Sequence, residues 1–360
     1  MDKIVHFMSD RKMDILVIGP SSDLQYLTGL KPFHDERFKA LFILSDGRYF
    51  YVAPELYYEE TMQTLGKDAE IFKWGDSEGF LKAINEANEK YGLEGKVIGV
   101  NDGIRAVDII DVGNVVNAKF INGCSIIEGI RIIKTEEERD YLRKAARIAD
   151  EVIPNIIKFI RPGVTEKDIK ERIEKLLFEK GGEGTSFDTI VASGPNSSKP
   201  HYSDDSRVIE ENDVMVLDYG CIYKGYCSDI SRTIFVGEPT EEQKKVYNII
   251  LEANNKGEEC ARQGATAEEV DSAARNVIRE AGYGQYFINR TGHGIGSGDH
   301  EAPYIKEGNK QVLKDGMAFS VEPGIYIPGK FGMRIEDIVL INDGKTEILN
   351  KATKDMIIIK

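Results

Sequence analysis

The segment Arg161-Pro-Gly-Val-Thr-Glu-Lys-Asp168 recurs 101 residues later as Arg262-Gln-Gly-Ala-Thr-Ala-Glu-Glu269. Each copy contains a turn, a threonine suited to cap a helix, and an acid three residues after that threonine. An aliphatic-periodic stretch follows in each copy and stops at a glycine, Gly181 in the first and Gly282 in the second. The segment therefore predicts one capped helix in each half of a duplicated domain.

Longer helical patterns precede both copies. They open with Thr135-Glu-Glu-Glu138 and Thr240-Glu-Glu-Gln243, which both have the capping-box signature. Two matching pairs of helices in one chain predict two structurally similar halves related by a pseudo-two-fold axis. Such an axis would bring equivalent segments of the two halves to one central cleft.

Acidic residues recur in the strand-like segments after the helices. Asp218 and Glu322 each end an apolar strand pattern two residues before a glycine, and Asp229 and Glu336 close the two halves. A single acid of this kind is most often an ordinary turn or strand-end residue. Acids in otherwise apolar strands are costly to bury unless they are paired or bind a metal. Their duplication therefore favours a shared metal site in the cleft.

An imidazole completes the candidate ligand set. His293 lies in Thr291-Gly-His-Gly-Ile-Gly296, and four carboxylates with one imidazole would balance two divalent cations in an oxygen-rich shell. This set predicts a two-metal hydrolase. The glycine-rich stretch could also be taken for a phosphate loop, but no amphipathic helix follows it, and Asp299 and Glu301 would repel phosphate.

These segments resemble those of metallopeptidase family M24, the group of aminopeptidase P, prolidase and methionine aminopeptidase that shares the pita-bread fold. The resemblance covers residues 126–360 and implies two divalent ions per chain. Manganese or cobalt is favoured by the oxygen-rich ligands, with zinc or iron as alternatives. The implied ligands are Asp218 on one ion, His293 and Glu322 on the other, and Asp229 and Glu336 bridging both.

The resemblance also implies roles beside the metals. His201 and His300 would contact the substrate and the tetrahedral intermediate, and Arg334 would form hydrogen bonds within the site. Glu322 would pass a proton from the attacking water to the leaving nitrogen. These four residues form the candidate catalytic set.

The expected activity is that of an exopeptidase that hydrolyses the first peptide bond of short peptides, of the Xaa-Pro dipeptidase or aminopeptidase P type. Two positions depart from the proline-specific members and leave the proline preference open. Asn289 stands where many have a histidine, and Asp299 stands where an apolar residue is usual. The alternatives are a methionine aminopeptidase-like enzyme, a metal-independent hydrolase of the creatinase type, and a binding protein without catalysis.

The first 125 residues have a different pattern, with short strands alternating with helices. Four strand patterns and two helix patterns predict a small α/β domain; they lie at residues 14–18, 38–44, 48–52 and 96–100 and at residues 55–65 and 78–90. Tyr26-Leu-Thr-Gly29 resembles the amino-terminal domain of prolidases and aminopeptidases P. The expected fold is therefore α/β (α+β), with a creatinase-like domain at residues 1–125 and a pita-bread catalytic domain at residues 126–360.

Composition limits the classes of binding partner expected for this chain. The 360 residues carry a formal net charge of -14, which argues against nucleic acid or an anionic membrane as a partner. The four cysteines show neither metal-type spacing nor a disulfide framework. No apolar run suits a signal peptide or a membrane span, so a cytoplasmic location is expected. The charged residues of segment 31–37 fit a solvated surface loop. As an alternative, the family resemblance implies a homodimer in which His34 and Arg37 lie at the entrance of the other subunit's cleft.

Overall fold

The computed structural model describes residues 1–31 and 33–360 of the chain. These residues fold as two compact units, Met1–Arg131 and Ile132–Lys360. The boundary expected from the sequence, after residue 125, falls within the helix Cys124–Arg131. This helix belongs to the first unit because its Ile126 and Ile127 are fully buried in that unit's core.

The first unit is built around a mixed six-stranded sheet. Its strands are β1 (Ile15–Ile18), β2 (Ala40–Leu44), β3 (Tyr49–Pro54), β4 (Ile71–Trp74), β5 (Val97–Val100) and β6 (Lys119–Asn122). Its helices are α1 (Asp2–Asp10), α2 (Ser22–Thr28), α3 (Tyr58–Leu65), α4 (Phe80–Tyr91), α5 (Ala106–Val115) and α6 (Cys124–Arg131). The order across the sheet is β4-β3-β2-β1-β5-β6. All six predicted elements are present, with ends shifted by one or two residues; a 3₁₀ turn, Glu55–Tyr57, starts the first helical pattern.

Both faces of this sheet are buried. In β1, Ile15 and Val17 pack into one hydrophobic cluster, whereas Leu16 and Ile18 pack into another. Successive side chains of a strand point to opposite faces, so the two clusters lie on the two sides of the sheet. Helix α4 covers the first side through Ile84. A strand buried on both sides explains the continuous apolar run in the sequence.

The second unit contains fourteen strands and five α-helices among the residues described. The helices are α7 (Glu136–Asp150), α8 (Ile153–Ile156), α9 (Glu166–Glu179), α10 (Glu241–Cys260) and α11 (Ala267–Glu280). The strands of its first half are β7 (Gly184–Thr185), β8 (Ile190–Ser193), β9 (Val214–Tyr219), β10 (Cys221–Tyr223), β11 (Tyr226–Cys227) and β12 (Ile230–Val236). Those of its second half are β13 (Gly292–Gly294), β14 (Glu301–Ile305), β15 (Ala318–Val321), β16 (Gly324–Ile327), β17 (Phe331–Arg334), β18 (Asp337–Asn342), β19 (Lys345–Ile348) and β20 (Ile357–Ile359).

The two main sheets of this unit have the orders β20-β12-β9-β8 and β14-β13-β15-β18-β19. A small sheet, β11-β10-β7, and the hairpin β16-β17 complete it. In the described part of the chain, no helix, including the 20-residue α10, is both long and apolar enough to cross a membrane.

All four predicted helix caps are confirmed. The side chains of Thr135, Thr165, Thr240 and Thr266 each accept a hydrogen bond from the backbone N–H three residues on. In return, the side chain of that third residue accepts a hydrogen bond from the N–H of the threonine. Each helix start thus satisfies two backbone donors that would otherwise remain unpaired.

The two halves of the second unit repeat their backbone pairing as well as their helices. An isolated antiparallel bridge joins Thr165 to Val208, and an equivalent bridge joins Thr266 to Val312. Each bridge ties the start of a helix to the segment that leads into the following strand. The duplication in the sequence is therefore a duplication of structure.

The candidate acids stand at the ends of paired strands. Asp218 lies in β9 and Asp229 directly precedes β12, and these two strands pair antiparallel. In the second half Glu322 directly follows β15 and Glu336 directly precedes β18, which also pair antiparallel. A bridge between Ser231 and Glu336 joins the two halves. The topology therefore brings both pairs of acids together.

In the first unit, Arg37 lies in segment 31–37, of which Pro32 is outside the described residues. Arg37 forms a bidentate ion pair with Asp76, in which Nε and Nη2 lie 3.0 and 2.9 Å from the two carboxylate oxygens. Its Nη1 donates to Oε1 of Glu36 at 2.8 Å, so the guanidinium is hydrogen-bonded to two acids within the first unit.

The cysteines have the character expected from the sequence. All four are free thiols, and Cys221 and Cys227 lie in apolar clusters. Burial raises the pKa of Cys221 to about 11 and that of Cys227 to about 12. Both therefore behave as small core side chains.

Replacing Thr266 by alanine should lower the free energy of unfolding by about 1 kcal/mol, because it removes the cap of α11. Thr165→Ala should cost a similar amount, because it breaks the same capping box in the first half. Urea unfolding followed by circular dichroism measures both changes. Thr64→Ala, at an exposed position within α3, is the control and should change stability by less than about 0.5 kcal/mol. Equal losses in all three variants would contradict the capping assignment.

Candidate active site

The candidate residues named from the sequence line one cavity of about 260 Å³ in the second unit. The residues concerned are the acids Asp218, Asp229, Glu322 and Glu336, the histidines His201, His293 and His300, and Arg334. They come from both halves of the duplicated unit. The structure therefore brings all eight together, although up to 135 positions separate them in the sequence.

Three of these side chains place ligand atoms close to one another. Asp229, His293 and Glu336 are buried, and one ligand atom from each lies within 4.8 Å of the others. Nε2 of His293 also lies 3.3 Å from Oε1 of Glu322 and 3.7 Å from Oδ2 of Asp229. Carboxylates grouped around an imidazole are a donor set suited to divalent metal ions.

The backbone fixes the orientation of the His293 ring. Nδ1 of His293 lies 3.1 Å from the carbonyl oxygen of Gly294, so the hydrogen-bond network assigns the proton to Nδ1. Nε2 then presents its lone pair to the acids. This is the usual arrangement of a metal-binding histidine, whose other ring nitrogen donates to a carbonyl or a carboxylate.

Among the described residues that line the cavity, three buried carboxylate oxygens have no hydrogen-bond partner, namely Oδ1 of Asp218, Oδ1 of Asp229 and Oε1 of Glu336. Unpaired oxygens of this kind are costly in a protein interior. Arg334 already holds the second oxygen of Asp218 at 2.5 Å, and Ser231 holds that of Glu336 at 2.8 Å. One oxygen of each acid therefore remains for a ligand, and the residues fit divalent metal ions.

Burial shifts the protonation of the acids and of the imidazole. It raises the pKa of Asp229 and of Glu336 well above the usual range, and neighbouring carboxylates raise both further. It also raises the pKa of Glu322 to about 7. Burial, helped by His300, lowers the pKa of His293 to about 3. A divalent cation would offset the repulsion and favour the charged carboxylates.

Arg334 connects acids from the two halves. Its Nη2 donates to Oδ2 of Asp218, its Nη1 donates to the Tyr326 hydroxyl at 2.7 Å, and its Nε donates to Oγ of Ser231 at 2.7 Å. Ser231 in turn donates to Glu336. The guanidinium therefore sets the positions of Asp218 and Glu336 while it offsets part of their charge.

Ser320 connects two further members of the cluster. Its Oγ donates to Oε1 of Glu322 at 3.1 Å and accepts the backbone N–H of His293 at 3.1 Å. The backbone N–H of Glu322 donates to the carbonyl of Thr291 at 2.7 Å. These bonds fix Glu322 against the strand that carries His293.

The other two histidines lie at the edge of the cluster. The ring of His300 stacks on that of His293, with centroids 3.8 Å apart, and its Nδ1 lies 3.1 Å from Oδ2 of Asp299. His201 is exposed on an irregular segment before β9. Partial loss of its water shell lowers the pKa of His201, and the charge of Arg334 lowers it further. Both rings therefore line the cavity.

Comparison with known proteins identifies the family. Residues 140–343 match metallopeptidase family M24, and residues 1–133 match the creatinase/prolidase N-terminal domain. The chain belongs to metallopeptidase family M24. It is an enzyme of this family with the pita-bread domain following the creatinase-type domain.

Full-length relatives of this M24 enzyme include an Xaa-Pro dipeptidase of Pyrococcus horikoshii, 38% identical, with 99% of this chain and 97% of the relative covered. The crystal structure of a prolidase from Thermococcus sibiricus matches with a TM-score of 0.93 at 38% identity, covering 99% and 97% of the two chains. An X-Pro aminopeptidase from Thermotoga maritima matches with a TM-score of 0.85 at 31% identity, covering 99% of each chain.

A second buried arginine binds the backbone next to the cavity of the M24 domain. Arg232, which is 1% exposed, donates through Nη1 to the carbonyl of Glu336 at 2.6 Å and through Nη2 to Oδ1 of Asp337 at 2.7 Å. The same guanidinium donates to the carbonyls of Ala352 and Thr353. The carboxyl-terminal segment is thereby tied to the strand that presents Glu336.

The glycine-rich stretch of the M24 domain begins with the strand β13, and no helix follows it among residues 295–360. A Cβ atom on Gly292 would lie 1.9 Å from the carbonyl oxygen of Ser320, and one on Gly294 would lie 2.2 Å from that of Ala302. Glycine is therefore required because neighbouring backbones approach closely. The phosphate-loop alternative does not agree with this geometry.

Sequence reasoning missed the residues that hold the acids of the cavity in place. Ser231 follows Asp229 by two positions, and Ser320 precedes Glu322 by two. Residues two apart in a strand share a face, so this spacing was a usable signal. Arg232 gave none, because Glu336 and Asp337 lie 104 and 105 positions away. Tyr326 meets Arg334 across the hairpin β16-β17, and nothing in the sequence marked that pair.

Adding excess Mn²⁺ to the metal-free enzyme should raise its free energy of unfolding by about 4 kcal/mol at a thousand times the dissociation constant. Glu336→Ala should remove most of this gain and reduce the number of bound ions, because it deletes an unpaired oxygen of the cluster. Scanning calorimetry and metal analysis measure the two effects. Glu307→Ala, at an exposed acid, should keep both. A Glu336→Ala variant that bound two ions with the full gain would exclude Glu336 as a ligand.

Proposed function

We propose that this M24 enzyme hydrolyses the peptide bond of Xaa-Pro dipeptides. The observation that carries the proposal is the cluster of buried acids around His293, with unpaired oxygens directed at one cavity. Full-length similarity to Xaa-Pro dipeptidases and to a prolidase structure supports the substrate class.

The cluster is proposed to hold two divalent ions, of which manganese or cobalt suits the oxygen-rich donors best. The residues that would hold these ions are Asp218, Asp229, His293, Glu322 and Glu336. When bound, such a pair of ions supplies a water of lowered pKa and an electrophile for the scissile carbonyl.

The chain's own side chains supply positioning and proton transfer. His201 donates a hydrogen bond to the carbonyl oxygen as negative charge develops on it. The Glu322 carboxylate takes a proton from the attacking water and delivers it to the leaving nitrogen. His300 orients the tetrahedral intermediate from its position over the His293 ring. Arg334 keeps Asp218 aligned through their short ion pair.

A second candidate is an aminopeptidase that removes the first residue from longer Xaa-Pro peptides, because an X-Pro aminopeptidase is also a full-length structural relative. The wall of the cavity contains Asn289, where many proline-specific relatives have a histidine. Its Oδ1 is buried without a partner among the described residues. This oxygen is available to a substrate N–H or hydroxyl group, so it bears on which peptides are accepted.

A substrate panel tests the proposal. The manganese-loaded enzyme should cleave Xaa-Pro dipeptides faster than Xaa-Pro-Yaa tripeptides, and both faster than Met-Ala peptides. Faster cleavage of the tripeptides would support the aminopeptidase, and preference for Met-Ala would support a methionine aminopeptidase. Full activity after chelation would support a creatinase-type hydrolase, and no turnover of any amide would support a binding protein.

His201→Ala should retain the metals and lose about a hundredfold or more in kcat, the scale for removing one oxyanion donor. Steady-state kinetics and metal analysis on the same preparation measure the two effects. His6→Ala, on the exposed surface of α1, provides a control with wild-type kinetics. Loss of metal from His201→Ala would make His201 a ligand instead.

Two further expectations from the sequence are retained as proposals. The enzyme is expected to be a homodimer, which light scattering tests directly. It is expected to act in the cytoplasm, which cell fractionation tests.

A further inference from the structure

The segment that contains His201 has one buried side chain. Residues 199–208 form no helix, and their strand pairing is limited to the isolated bridge at Val208. Tyr202 is the single buried side chain of this stretch, at 8% exposure, whereas His201 beside it is exposed. An irregular segment of this kind is mobile unless side chains or backbone bonds fix it. Arg334 also donates through Nη1 to the carbonyl of Pro200, at 3.5 Å. The position of His201 therefore depends on this longer bond and on what holds Tyr202.

The Tyr202 hydroxyl is held by a buried carboxylate. It donates to Oε2 of Glu166 at 3.0 Å and accepts from Nδ2 of Asn196 at 2.8 Å. Glu166 has no exposed surface, and its Oε1 accepts both the backbone N–H and the hydroxyl of Ser193 at 2.7 Å. Glu166 is also the first residue of α9, directly after the cap Thr165, where the helix dipole favours a negative charge.

The start of α9 binds the far end of the same segment. The backbone N–H of Glu166 donates to the carbonyl of Arg207 at 2.9 Å, and that of Lys167 donates to the carbonyl of Asp205 at 2.9 Å. These two bonds and the Tyr202 hydroxyl attach segment 199–208 to the start of α9. His201 lies at the cavity end of this attachment.

The second half of the repeat has the same backbone attachment but no carboxylate at the equivalent position. Ala267 occupies the position equivalent to Glu166, and its N–H donates to the carbonyl of Gln311 at 3.0 Å. The backbone N–H of Glu268 likewise donates to the carbonyl of Asn309 at 2.9 Å. The same backbone attachment therefore forms without a carboxylate. The carboxylate is an addition to the half that carries His201.

We infer that Glu166 is a positioning residue that holds His201 in the cavity through the hydroxyl of Tyr202. The inference rests on the proposed function, in which His201 donates to the carbonyl oxygen. Glu166 itself is buried away from the substrate and acts only through the tyrosine.

Tyr202→Phe tests the link, because it removes the hydroxyl and keeps the buried ring. It should lower kcat by about ten- to a hundredfold, the scale for small displacements of a catalytic group. KM and metal content should change by less than about threefold, because the ligands and the cavity walls remain. Tyr247→Phe removes another buried hydroxyl, which donates to backbone carbonyls on the carboxyl-terminal segment, and should keep wild-type kinetics.

A double-mutant cycle with His201→Ala makes the test specific. If Tyr202 acts through His201, Tyr202→Phe should cost nothing further in the His201→Ala background. An additive loss there, or wild-type kcat for Tyr202→Phe alone, would overturn the inference. Wild-type kcat for His201→Ala would instead overturn the role of His201 in the proposed function, so the two failures are distinguishable.

Glu166→Gln provides a second test of the inference. It removes the negative charge, so it should lower kcat about as much as Tyr202→Phe, and the two changes together should cost no more than either alone. Additive losses would overturn the inference. If Glu166→Gln does not fold, the cycle with Tyr202→Phe decides alone.

Discussion

The concentration of negative charge in one buried cavity is the constraint on which the second unit depends. Asp229 and Glu336 are nearly inaccessible to water and lie close to two other acids, an arrangement that costs free energy unless cations offset it. The protein supplies part of the offset itself. Arg334 pairs with Asp218, and the backbone carbonyl of Glu336 is fixed by Arg232. The remaining unpaired oxygens are left for metal ions, so stability is given up locally where function needs it.

Duplication provides a rigid frame for this cavity. Capped helices and equivalent backbone bridges recur in the two halves, and each half contributes two acids at the ends of paired strands. These bonds fix the start of a helix in each half, so the acids are positioned by regular elements of the fold. The bond from Ser231 to Glu336 then couples one half directly to the other.

Differences between the halves underlie the catalytic roles in the proposed function. His293 and its stacking partner His300 both belong to the second half, whereas His201 belongs to the first. The Glu166 carboxylate likewise has only an alanine methyl group as its counterpart. A symmetric site could hold two ions, but a peptide bond has distinct carbonyl and amine sides. In the proposed function, the residues that differ between the halves distinguish these two sides.

The sequence by itself determined the helix caps, the repeat and the set of acids. Caps depend on bonds between residues three apart, as at Thr165 and Asp168, and the acids stand out because apolar strands rarely contain them. Only the tertiary structure decided which groups support the site. Tyr202 meets Glu166 across 36 positions, and Arg232 meets Thr353 across 121. Contacts at such separations follow from how strands and segments pack, and no local pattern encodes that packing.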